Sequence, residues 1–175
     1  MTEKPEDTIE TIEDLLAHAR VLETEAYECY LDLAEQMDMH HNRAVADLFR
    51  KLSEEEKKHI ERVDSRAGEM EVPRLAPWDF KDLDTEAHGL TGAREVHYMM
   101  TPYHALKLAL RSENRSVAFF SQVVETSGND EVLKLARELQ DEELHHVEVI
   151  KEWLAKEPVP EEDWDEDPDP PVLPT

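Results

Sequence analysis

The sequence predicts an all-α fold: a four-helix bundle made of two helical hairpins joined by one long crossover. Three observations carry this. Four segments repeat apolar residues at alternating spacings of three and four, the period of a helix face. Glycine is scarce, four residues in 175, while Leu, Ala, Glu and Lys dominate the middle of the chain. The first two segments are separated by a few residues, as are the last two, but about thirty residues divide the pairs.

The first segment runs from about Thr11 to Asp38. The second starts near Asn42, a good N-cap, and continues to about Ala67, before Gly68. The third begins at Thr101-Pro102, an N-cap followed by proline at the first helical position, and ends near Gly128. The fourth opens at Asn129 or Asp130 and stops before Pro158. Met39, His40 and His41 make the first bend and Ser127, Gly128 and Asn129 the second, so each pair is antiparallel. The link from roughly Glu69 to Met100 carries Pro73, Pro77, Gly89 and Gly92, with a short helix expected near Ala93 to Met100. Two hairpins and one crossover form the ferritin-like arrangement of four-helix bundles. The expected division is a helical domain over residues 1–157 and an acidic, proline-rich tail over 158–175. That tail has no Lys or Arg and too little apolar content to order itself, so it reads as a disordered solubilising segment. The competing reading is a docking segment around Trp164 or the last residues, Val172 to Thr175.

A net charge of −24 argues against nucleic acid and anionic membrane surfaces as partners. No apolar run approaches the ~20 residues that span a bilayer. Met1 to Asp7 is polar and acidic, unlike a signal peptide, so the cytoplasm is the expected compartment. A single cysteine, Cys29, excludes an intrachain disulfide and any Cys-x-x-Cys module; it reads as a small buried hydrophobe.

Threading each segment on its apolar stripe exposes an anomaly. The first gives Leu16, Ala19, Glu23, Ala26, Tyr30, Leu33 and Met37, and the second Val45, Phe49, Leu52, Glu56, His59 and Val63. The third gives Leu106, Ala109, Glu113, Ser116, Phe120 and Val123. The fourth gives Val132, Ala136, Leu139, Glu143, His146, Ile150 and Trp153. Four glutamates and two histidines interrupt seams that are otherwise apolar or small. Moving a carboxylate into a protein interior costs several kcal/mol, and four together repel one another. Two divalent cations would neutralise them, with the imidazoles completing the ligand set. The heights agree as well: at a rise of ~1.5 Å per residue, Glu23 lies roughly 25 Å before the first bend, and the other three each lie roughly 20 Å from theirs.

A lone Glu-x-x-His is weak evidence in so acidic a chain, and Glu142-x-x-His145 repeats the string by chance. Turning Glu142 and His145 inward would also bury Glu138 and expel Leu139, Ala136 and Ile150, so Glu143 and His146 are the pair assigned inward. The remaining histidines, His18, His40, His41, His88, His97 and His104, have no partner at ligand spacing and are expected in surface or loop roles. Tyr30, two turns beyond Glu23, reads as a core aromatic with an accessory role at the site as the alternative. Carboxylate and imidazole ligands suit iron or manganese, with zinc a further alternative.

The stretch from Glu23 to Ala34 (ETEAYECYLDLA) resembles the first helix of rubrerythrins. Leu48-Phe49 followed by Glu56-Lys-Lys-His59 resembles the second, and Leu106 to Phe120 with Glu142 to Val147 is similar to the family's second hairpin. The resemblance covers roughly residues 11 to 156. It implies a di-iron centre handling peroxide or dioxygen, with Glu23, Glu56, His59, Glu113, Glu143 and His146 as ligands and Glu56 and Glu143 as bridges. Typical members append a rubredoxin domain with two Cys-x-x-Cys pairs; this chain has none, so an external electron donor is expected. They also carry a second glutamate one turn after the third-helix ligand, where this chain has Ser116. The expected function is therefore a di-iron oxidoreductase reducing hydrogen peroxide or dioxygen while ferrous iron is oxidised, with a homodimer as the expected assembly. Iron binding or delivery without turnover is the alternative, and a metal-free helical interaction protein the third reading.

The seam assignment makes a direct prediction about register. His146→Ala should lower metal affinity at least tenfold, as measured by metal titration. His145→Ala should leave it within about twofold; equal losses would mean the fourth helix is rotated.

Overall fold

The computed structural model describes residues 8–76, 79–81 and 96–168. Four helices account for the body: α1 (Ile12–Met39), α2 (Arg43–Ala67), α3 (Pro102–Thr126) and α4 (Asp130–Leu154). α1 packs along α2 and α3 along α4, and the two hairpins meet through α2 with α3 and α1 with α4. No helix among the described residues is long and apolar enough to cross a membrane.

The helix starts follow from side chains able to replace missing backbone acceptors. Thr11 Oγ1 accepts from Asp14 N–H at 3.1 Å, and Asn129 Oδ1 accepts from Glu131 N–H at 2.9 Å. Asn42 does more than cap α2. Its Oδ1 faces Val45 N–H while its amide donates to Met100 O at 2.7 Å and Tyr98 O at 3.2 Å. The first bend and the end of the crossover are thereby tied together. At α3, Thr101 N–H donates to His104 Nδ1 at 3.0 Å. α2 stops at Gly68, whose φ of 54° suits a residue without a side chain.

Residues 96–100, the described part of the short helix expected near Ala93 to Met100, form a turn closed by Met100 N–H to His97 O at 3.0 Å; residues 93–95 lie outside the described residues. The turn is held by Asn42 from α2, a contact that local propensity does not encode.

His18 corrects the expectation of a surface or loop role. It is fully buried on α1, with Nδ1 2.7 Å from Asp14 O and Nε2 accepting Lys81 N–H at 3.1 Å. Its ring stacks on Phe119 at 5.6 Å and meets Phe80 at 5.0 Å. Both nitrogens have polar partners, so the imidazole anchors the crossover to the bundle without an unpaired polar group. Burial pulls its pKa below the usual value, against the opposing effect of the Asp14 carbonyl. His40 and His41 are exposed at the first bend and His97 and His104 half-buried at the same end; His88 lies outside the described residues.

The interior is divided. One apolar cluster gathers Tyr30, Leu33, Met37, Phe49, Leu106 and Ile150 near the first bend. The other gathers Leu15, Leu16, Val63, Phe120, Val132 and Leu139 near the second. Between them lies a polar layer.

The described part of the tail touches the first cluster. Trp164 packs against it, with its ring 3.7 Å from that of His104 and edge-on to His97, and Tyr98 donates a hydrogen bond to Asp167. Residues 169–175, including the Val172 to Thr175 end, lie outside the described residues. Trp164 is only partly buried, so Trp164→Ala is expected to cost about 1 kcal/mol, read as a lower urea midpoint with an unchanged slope.

Candidate metal centre

The polar layer consists of the residues that interrupt the four seams. α1 supplies Glu23, α2 Glu56 and His59, α3 Glu113, and α4 Glu143 and His146. The four glutamates are 3 to 6 % exposed and His59 5 %, whereas the His146 side chain is 17 % exposed. Each helix places its carboxylate where one apolar cluster gives way to the other. Glu23 stands between Leu22 and Ala26, and Glu113 between Ala109 and Phe119. The register of both hairpins brings these four positions to one level.

Two overlapping groups of ligand atoms result. Glu23, Glu56 and His59 form one and His59, Glu143 and His146 the other, each with donor atoms within 4.8 Å of one another. His59 Nδ1 lies 3.2 Å from Glu23 Oε2 and 3.4 Å from Glu56 Oε2. His146 Nδ1 lies 3.7 Å from Glu143 Oε2 and 3.8 Å from Glu113 Oε2, beyond hydrogen-bond reach. The two imidazoles stack at 3.9 Å and 13°, joining the groups across the α2–α4 face. Glu113 belongs to neither compact group but stands beside the second through His146.

Electrostatics make the layer costly without a cation. Among the described residues, the ion-pair partners of these four glutamates are His59 and His146 alone. Burial pushes Glu23 and Glu113 well above the usual carboxylate range, and neighbouring carboxylates push further; His59 hydrogen bonding opposes the rise at Glu23. Glu56 is raised by burial to about 7, despite relief from a hydrogen bond with Glu23. At Glu143 burial also acts upward, but the neighbouring His146 imidazole and Glu113 carboxyl outweigh it and the pKa is lowered. Carboxylates of unlike proton affinity packed together bind protons in place of a cation.

The donor set fits a divalent metal on its own evidence. Glu143 Oε2 and His146 Nδ1 are buried and have no hydrogen-bond partner among the described residues. An unpaired acceptor and an unpaired imidazole nitrogen facing each other cost free energy that a metal ion between them would recover. Tyr30 is fully buried, its ring 6.0 Å from Phe49 and its hydroxyl without a partner in hydrogen-bond geometry among the described residues; burial raises its pKa strongly. Ser116, also buried, occupies the place one turn after Glu113.

Glu142 and His145 are held apart from this layer. Arg66 forms an ion pair with Glu142 across the α2–α4 face, and Arg62 approaches the same carboxylate at 3.9 Å. His145 is exposed. The seam argument put this pair outside without identifying the cations that keep it there; Arg62 and Arg66, four residues apart on α2, were the available signal. Sequence reasoning also missed a cavity of about 410 Å³ between α2 and α4, which reaches Glu56, His59, Glu113 and His146.

Four helices in two hairpins around a carboxylate–histidine layer define a ferritin-like protein of the kind built to hold metal. The rubrerythrin family model matches residues 14–154, and the chain belongs to that family. It is similar to the crystal structure of an uncharacterised conserved protein from Magnetospirillum magnetotacticum, at 34 % identity and a TM-score of 0.64, over 86 % of this chain and 98 % of that one. No curated protein matches.

The raised carboxylate pKa values carry a sign. A carboxyl whose pKa is higher folded than unfolded binds more protons when folded, so its contribution to stability falls as pH rises. For Glu56 the window runs from its ordinary 4.5 to about 7. Metal-free protein should therefore lose stability between pH 5 and 7. Glu56→Gln should flatten that slope, by on the order of 2 kcal/mol across the window. Thermal melts of the two chelator-treated proteins across this range measure the difference.

Proposed function

We propose that this chain is a di-iron carboxylate oxidoreductase that reduces hydrogen peroxide or dioxygen while ferrous iron is oxidised, with reducing equivalents restored by a separate donor. The observation that carries this reading is the pair of overlapping ligand groups, with Glu143 Oε2 and His146 Nδ1 buried and unpaired. Bound iron would supply the two electrons that peroxide reduction requires. Glu23, Glu56 and His59 would hold one ion, and Glu113, Glu143 and His146 the other. Glu56 and Glu143, each from a Glu-x-x-His pair, are the proposed bridges.

The protein's own part is positioning and access. His146 is more exposed than His59 and lies beside the α2–α4 cavity, so oxidant approaches from its side. The two apolar clusters shield the layer from above and below, which keeps water away from the other faces. Ser116, buried one turn after Glu113, carries a hydroxyl that is a poor metal ligand at neutral pH. An open coordination position there would admit either oxidant. With Ser116 in place of a further carboxylate, the chain would offer an oxidised metal pair one fewer stabilising anion, which would favour a modest preference for peroxide over dioxygen.

Anaerobic iron loading should approach two ions per chain, and Glu56→Ala or Glu143→Ala should remove at least half of that. Rapid mixing of the ferrous protein with each oxidant, followed by ferric absorbance, should show both reacting, peroxide several-fold faster. Ser116→Glu should widen the difference. Full iron occupancy with no reaction toward either oxidant would instead favour iron binding or delivery.

A further inference from the structure

The cavity beside the site is larger than hydrogen peroxide or dioxygen requires. At about 410 Å³ it falls in the range of organic ligand pockets, and at ~30 Å³ per water it has room for on the order of ten. Its long direction follows the antiparallel α2 and α4. From Leu52 to Arg62 the span on α2 is ~15 Å, and from His145 to Trp153 on α4 it is ~12 Å.

The two ends differ in chemistry. Leu52 of α2 and Val149, Ile150 and Trp153 of α4 form a mainly apolar end, at whose edge the half-buried Glu55, paired with Lys58, also lines the wall. Lys51 Nζ lies 3.9 Å from the centre of the Trp153 ring, an additional contact that steadies this wall. Arg62 and His145 mark the opposite, polar end. Between them the cavity reaches Glu56, His59 and His146. From His59 to Leu52, and from His146 to Trp153, the helices rise ~10 Å, enough for an aromatic ring or a short alkyl chain. Hydrogen peroxide has no need of that apolar wall, and dioxygen, although apolar, would fill only a small part of the volume.

We infer that the α2–α4 cavity is a binding site for an organic hydroperoxide, its apolar body against Leu52, Val149, Ile150 and Trp153 and its peroxide group toward His59 and His146. This rests on the oxidoreductase reading above and names the substrate class. In the balanced reaction the O–O bond of ROOH is cleaved with two electrons from two ferrous ions and two protons from solvent. The products are ROH, water and two ferric ions.

The test separates binding from turnover. Cumyl alcohol, the redox-inert product of cumene hydroperoxide, is titrated into protein as purified and followed by methyl resonances of Ile150 and Leu52. Saturable shifts at submillimolar to millimolar concentration are expected, and Val149→Trp, at a half-buried position that a larger ring would fill, should weaken binding at least tenfold. An unchanged melting temperature and unshifted methyl resonances of Leu16 and Val132, in the other apolar cluster, show that Val149→Trp keeps the fold. In the iron-loaded protein the ratio of kcat/KM for cumene hydroperoxide to that for hydrogen peroxide should fall at least tenfold in Val149→Trp. Absence of saturable binding, or an unchanged ratio in Val149→Trp, overturns the substrate assignment even if hydrogen peroxide turnover persists. Binding with no reduction of any peroxide or dioxygen overturns the oxidoreductase reading while leaving the organic site.

Discussion

The dominant constraint is the burial of four carboxylates at one level of a helical bundle. Nothing in an apolar core compensates a single buried carboxylate, and four in one layer repel one another as well. The metal-free protein meets this cost with protons: Glu23, Glu56 and Glu113 are shifted upward, while Glu143, beside His146, is shifted down. The layer divides the apolar interior into two clusters, so each hairpin must keep its register for the carboxylates to meet. The bend and cap contacts of Asn42 and Asn129 are consequently part of the site, although far from it.

The outer face of α2–α4 is built differently from the inner one. Arg62 and Arg66 engage Glu142, removing the neighbouring acid of α4 from competition for the interior. A few residues further along, the same interface opens into a cavity whose walls change from charged to apolar. The bundle thus offers a tightly packed interior and one side from which the histidines can be approached. The difference in exposure between His59 and His146 is the local expression of this asymmetry.

The ends of the bundle carry their own polar devices. His18 ties the described end of the crossover segment to α1 through Lys81, and the two aromatic rings beside it make that tie dry. At the opposite end His104 serves the α3 N-cap and the Trp164 ring together. Both are imidazoles used for shape and hydrogen bonding, away from the carboxylate layer.

Apolar periodicity was sufficient to place four helices within a few residues, because a helix face is a local property of spacing. It was also sufficient to select Glu143 and His146 over Glu142 and His145, since only one rotation of α4 buries Leu139 and Ile150. The level at which the four glutamates meet could be estimated from rise alone, because both bends are short. Other features depended on residues distant in sequence. His18 has no ligand partner at helical spacing, yet Lys81 and Phe80 from the crossover and Phe119 from α3 bury it. Trp164 sits in a segment whose composition alone argues for solvent, and its packing partners come from α3 and the crossover. The cavity is a gap between two helices that are not consecutive, and a gap has no residue pattern of its own. Spacing along the chain determined the faces and the candidate ligands; the distances between helices, which only tertiary packing sets, decided access, pairing and which polar atoms were left without partners.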